Sequence, residues 1–88
     1  MSVPSIDDAI TRHAAWRDRG PIRVWRQANR CSTRDLASIL DVSVSALVNW
    51  ENGISVPAQD ICAKLGRLSG DEHFRAVLLD WFAEKPAV

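Results

Sequence analysis

The sequence predicts an all-α protein, a compact bundle of five to six short helices. Three observations predict it. Apolar residues recur at helical intervals along nearly the whole chain, and no run alternates as a strand does. Hydroxyl and carboxylate residues stand where helix N-caps are needed, and Gly, Asn or Asp stand where helices must stop. In the middle, two such helices are separated by a turn of three or four residues, which is helix-turn-helix spacing.

The first helix is expected from Ser5-Ile6-Asp7-Asp8, a cap with an acidic first turn, to about Arg17. Ile6, Ala9, Ile10, His13 and Ala14 share one side, which favours packing on the bundle over an arm reaching along a partner. Gly20-Pro21 stops this helix and starts a second over about 21–30, because proline suits the first helical turn. Ile22, Trp25 and Ala28/Asn29 lie on one of its faces; Arg23, Arg26/Gln27 and Arg30 lie on another.

Ser32-Thr33-Arg34-Asp35 reads as a capping box, with Cys31 and Leu36 placed as a hydrophobic staple. The third helix then covers about 33–40, with Leu36, Ala37 and Leu40 inward. It ends at Asp41, which tolerates left-handed backbone. Ser43 caps a fourth helix to about 52, with Val42 and Leu47 as its staple and Leu47 and Trp50 inward. Asn52-Gly53 ends it. Pro57 opens a fifth helix to about 69, with Ile61, Cys62, Leu65 and Leu68 apolar. Gly70-Asp71 breaks it, and a sixth helix over about 71–84 carries Phe74, Val77, Leu78, Trp81 and Phe82. The chain thus divides into an extra N-terminal helix (1–20), a helix-turn-helix core (21–69) and a C-terminal helix (70–88), all one globular unit.

Composition narrows the function. The 88 residues are 47% apolar and 25% charged, ordinary for one small domain. Net charge is zero, which argues against a protein that coats nucleic acid indiscriminately. The distribution is uneven, however. Residues 12–34 hold seven Arg against Asp18 alone, a net +6. Residues 1–11 carry −2 and residues 35–88 carry −4. Arginine suits phosphate because its planar fork binds two oxygens. Cys31 and Cys62 are far apart and read as reduced, buried thiols of a cytosolic protein. No apolar run could span a membrane, and the start lacks the pattern of a signal peptide. An enzyme is not expected. The chain has no metal-ligand spacing, no glycine-rich phosphate loop and no nucleophile–base motif, and it implies no cofactor and no small-molecule substrate.

The stretch "DVSVSALVNWENG" (41–53) has sharply marked ends but a plain outer face. Val44, Ser45, Val48 and Asn49 carry no charge. Asparagine can pair with adenine in two places, serine is versatile, and valine or alanine can meet a thymine methyl. Affinity must then come from elsewhere, chiefly from Arg–phosphate contacts.

The longer stretch "STRDLASILDVSVSALVNWENGISVP" resembles the Cro/repressor-type helix-turn-helix family of bacterial and phage regulators, also called the xenobiotic-response-element family. Leu36-Ala37, Leu40, Val42-Ser43, Leu47, Trp50-Glu51-Asn52-Gly53 and Pro57 carry the resemblance, which spans about residues 21–69. It implies a lambda-repressor-like fold and a bacterial cytoplasmic protein. It also implies a homodimer on an inverted-repeat operator of double-stranded DNA. Carried across by position, Thr33, Val44, Ser45, Ala46, Val48 and Asn49 face the bases. Ser43, Asn52 and Ser55 meet the backbone, joined by Arg23, Arg30 and Arg34, with Arg12, Arg17 and Arg19 as further contributors. The same resemblance makes Arg26 and Glu51 a structural salt bridge and Trp50 a core residue. The family commonly has Gln, Arg or Lys at the Val44 position, so hydrogen-bonded reading here falls to Thr33, Ser45 and Asn49.

The function expected is a sequence-specific transcriptional regulator, a repressor or autoregulator. Phe74, Leu78, Trp81 and Phe82 are the candidate dimer contact, since large aromatics near a chain end are hard to bury in so small a monomer. The alternative is a protein-docking module, antitoxin-like or anti-regulator, that keeps the same fold.

Overall fold

The computed structural model describes residues 6–86. Six helices follow one another: α1 (Ile6–Asp18), α2 (Pro21–Ala28), α3 (Thr33–Leu40), α4 (Val44–Glu51), α5 (Gln59–Ser69) and α6 (Phe74–Ala83). No strand occurs among the described residues. The cap expected at Ser5 lies outside them.

Local chemistry sets the two central helices. Ser32 Oγ accepts the Asp35 N–H at 3.0 Å, and Ser43 Oγ accepts the Ala46 N–H at 3.1 Å. Each hydroxyl satisfies one orphan donor of its helix. The reciprocal half of the first box does not form, because the Asp35 side chain is one methylene shorter than the Glu that usually reaches back. Cys31 and Val42 pack against the core as the two staples. Asp41 ends α3 at φ 57, ψ 48, the left-handed conformation. Lys64 donates from α5 to the Leu40 carbonyl at 3.4 Å, placing a cation on the last turn of α3.

Three ends differ from the sequence reading. Helix α2 stops at Ala28, because Arg30 adopts φ 51 and turns the chain into α3. Pro57 is buried ahead of α5, which begins two residues later with Ala58 at its N-cap position. Residues 72–73 form a turn, so α6 begins at Phe74.

In tertiary packing α5 lies against α6 and α3, α3 against α4, and α2 against α4 and α6. Ile22, Leu36, Leu40, Leu47, Leu65 and Leu78 are fully enclosed between them. Helix α1 joins the bundle at its C-terminal end, where Trp16 is buried. Ile6 and Ile10 stay 79% and 61% exposed, so the apolar side expected to pack on the bundle does so only in its second half. The last turns of α1 reach the bundle through Trp16, which meets Trp81 of α6 and Gly53 beyond α4.

Candidate nucleic-acid interface

Helix α4 has two contrasting sides. Leu47, Trp50 and Glu51 are buried against the bundle. Val44, Ser45 and Val48 are exposed, while Ala46 and Asn49 are half-buried at the edge. On a helix, residues four apart are neighbours. Val44 and Val48 therefore make one row and Ser45 and Asn49 a second row beside it. Among the described residues, neither the Ser45 hydroxyl nor the Asn49 amide has a hydrogen-bond partner. The Thr33 hydroxyl, half-buried at the first turn of α3, has none either.

The only charge on α4 is Glu51, and it is 3% exposed. Arg26 grips it in a fork: Nη2 donates to Oε1 at 3.0 Å and Nε to Oε2 at 3.2 Å. Arg26 Nη1 also donates to the Cys31 carbonyl at 3.3 Å, just before α3. One guanidinium thus ties α2, the start of the motif and the end of α4 together. A buried carboxylate would be costly unless paired, and this geometry pairs it twice. The outer face of α4 is left without a negative charge to repel phosphates.

Arg23, read from sequence as a phosphate ligand, is placed otherwise. Its Nη1 lies 3.3 Å from the Asp18 carboxylate and its Nε 3.4 Å from Glu51 Oε1. The second approach is an ion pair by distance but is not aligned as a hydrogen bond, and Nε has no hydrogen-bonded partner. Asp18 ends α1 and Glu51 ends α4, so tertiary contact draws Arg23 into the same cluster as Arg26. By contrast, Arg30 and Arg34 are exposed and make no ion pair among the described residues. Ser43 and Ser55 are exposed near the two ends of α4, and Asn52 is half-buried at its C-cap.

The four residues read as a dimer contact are also placed differently. Phe74, Leu78 and Trp81 lie in the core of the same chain, and Phe82 is packed against it half-buried. Nothing in the local pattern around Trp16 marks it as the matching surface. Trp16 and Trp81 stack with ring centroids 4.1 Å apart, and each indole N–H donates to the other residue's backbone carbonyl at 2.8 Å. Trp16 covers Gly53, just past the end of α4, and Trp81 lies against Gly20. Lys85 Nζ donates to the Gly53 carbonyl at 3.0 Å. These contacts were missed because nothing local links residues 65 apart in sequence. The one available signal was the presence of two Trp outside the 21–69 core, each an apolar body with a polar tip that needs a partner when buried.

No group of His, Cys, Asp or Glu among the described residues could hold a metal ion. No described helix is long and apolar enough to cross a membrane.

A helix-turn-helix family model matches residues 22–68, from α2 to the end of α5. No curated protein and no solved structure matches the chain. Helices α1 and α6 fall outside the matched segment, and Trp16 of α1 and Lys85, past α6, both meet Gly53 just beyond α4. With more than half of its residues matched and both motif helices capped in place, the chain belongs to the Cro/repressor-type helix-turn-helix family of DNA-binding regulators.

Proposed function

We propose that this protein is a sequence-specific transcriptional regulator that lays α4 in the major groove of double-stranded DNA. Thr33, Val44, Ser45, Ala46, Val48 and Asn49 face the bases. Arg30 and Arg34, with Ser43, Asn52 and Ser55, meet the sugar-phosphate backbone. Arg23 and Arg26 hold Glu51 instead. One observation carries this reading. The exposed side of α4 is uncharged and carries polar groups unpartnered among the described residues, its sole acid is turned inward, and Arg30 and Arg34 are exposed without an ion pair among those residues. An uncharged helix can come close to base edges, while arginine supplies the affinity.

The protein acts as a homodimeric repressor or autoregulator on an inverted repeat, with half-sites roughly 34–36 Å apart. With Phe74, Leu78 and Trp81 inside the core, the contact between copies falls to apolar groups still exposed, among them Ile6 and Ile10 of α1 and Val77 and Leu79 of α6. The same exposed groups favour the second reading, a docking module for another protein. Selection of bound sequences from random duplex DNA, at two salt concentrations, separates the two. An enriched inverted repeat supports the regulator. Folded protein that enriches nothing at either salt overturns it in favour of docking.

A further inference from the structure

Val44 and Val48 are 42% and 37% exposed on a helix whose larger apolar residues, Leu47 and Trp50, are inside. Both are β-branched, both are neutral, and they stand one turn apart. Their helical rise places them about 6 Å apart along the axis. That is close to two base steps of about 3.4 Å. In the major groove, the apolar group a base pair presents is the C5-methyl of thymine. Cytosine methylated at C5 presents the same group at the same place.

We infer that Val44 and Val48 form a methyl-reading row, so that this protein selects C5-methylated pyrimidines within two base steps of each other, thymine and 5-methylcytosine alike. This rests on the reading of α4 as the groove helix and names what that helix recognises. The valines make no hydrogen bond, so they do not distinguish the O4 acceptor of thymine from the N4 donor of cytosine. Hydrogen-bond discrimination belongs to the neighbouring row, Ser45 and Asn49. Two rows on one helix thus read two properties: methyl groups on one side, donors and acceptors on the other. Methylation of cytosine at a valine-facing position then becomes a signal this chain detects.

The test uses the full chain and the duplex enriched by selection. Each thymine of the half-site is replaced in turn by deoxyuridine, which removes the methyl and leaves every hydrogen-bonding group. At valine-facing positions affinity should fall about fourfold per methyl, the effect of exposing one buried carbon. Replacing the same T·A pair by 5-methylcytosine·G should restore most of the affinity, and unmethylated C·G should not. Val44→Ala and Val48→Ala, both at exposed positions where alanine favours helix, should bring the thymine/deoxyuridine ratio toward one. The slope of affinity against salt should stay unchanged. An enriched site indifferent to deoxyuridine at every position overturns the inference while leaving the DNA-binding reading intact. Failure to enrich any site overturns that reading, and the inference with it.

Discussion

Trp16 and Trp81 form a reciprocal pair: each donates its indole N–H to the other's carbonyl at 2.8 Å, with the rings 4.1 Å apart and 4° from parallel. The pair joins the two ends of the described chain across the end of the helix read as DNA-facing. Trp81→Phe keeps a ring but removes one of the two donors to the Trp16 carbonyl, the Arg19 N–H remaining at 3.1 Å, and should cost about 0.5–1.5 kcal/mol. Trp81→Ala also removes the packing and should cost about 3–5 kcal/mol. Urea unfolding followed by circular dichroism measures both. Equal losses for the two variants would mean that ring packing contributes nothing beyond the hydrogen bond.

Two glycines allow a controlled comparison. Gly53 and Gly70 both have φ +71, but a Cβ on Gly53 would lie 2.2 Å from Trp16 Cη2, whereas a Cβ on Gly70 meets nothing within 4 Å. Gly70→Ala should therefore cost only the left-handed backbone term, about 1–2 kcal/mol. Gly53→Ala adds overpacking against Trp16 and should cost about 1–3 kcal/mol more. Thermal melts of the two variants provide the measurement, and a Gly70 variant as unstable as the Gly53 one would remove Trp16 from the explanation.

Glu51 is the hub of the motif's charge. Glu51→Gln removes the charge and leaves the half-buried Arg26 guanidinium beside a neutral amide. Breaking a buried pair from one side costs about 3–5 kcal/mol. Arg26→Met together with Glu51→Leu should recover part of that loss, because Arg26 is then no longer left charged, although Arg23 still loses its contact with Glu51. Stability of Arg26→Met, Glu51→Leu and the double variant against the native chain gives the coupling of the pair.

Arg34 and Arg23 should separate cleanly in binding. Arg34→Ala should weaken binding to all sequences and lower the salt slope by about one unit. Arg23→Ala should leave the slope unchanged, because its guanidinium faces Asp18 and Glu51. Asn49→Ala should cost about 1–3 kcal/mol at one base position and relax specificity there. Titrations at several salt concentrations read all three; a slope change for Arg23→Ala equal to that of Arg34→Ala would restore Arg23 to the phosphate set.

Burial pushes the Cys62 thiol up from its ordinary value of 9.0, with Arg75 opposing the shift and Asp60 adding to it. The folded chain thus holds this thiol protonated where the unfolded chain has begun to ionise. Its contribution to stability is fully present below about pH 9 and is lost as pH rises through the raised folded value. Unfolding at pH 8 and at pH 10 should show a larger drop for the native chain than for Cys62→Ala. In the folded protein at pH 8, iodoacetamide should modify half-buried Cys31 first and leave Cys62, which mass spectrometry reads directly.

Features that depend on neighbours a few residues away are legible in the amino-acid order alone. Ser32, Ser43, Asp41 and Gly53 mark α3, α4 and the turn between them, because a cap bonds to an N–H three residues on and a left-handed stop is a single-residue property. The face of α4 followed from the same local periodicity, and so did the inward turn of Leu47 and Trp50. Which of several plausible partners a long side chain meets is settled by the packing of the helices. Arg23 and Arg30 look alike in sequence, yet Arg23 is drawn to Asp18 and Glu51 while Arg30 stays free. Ile6 and Trp16 both belong to an amphipathic helix, yet Trp16 is enclosed and Ile6 is open. The aromatics of α6 look too large for a small monomer to bury, yet Trp81 finds its other wall in Trp16, and Phe74 is enclosed in the core. Hydrophobic burial has no direction of its own. It acquires one only when the helices are already placed, and the placing is done by residues far apart in the chain.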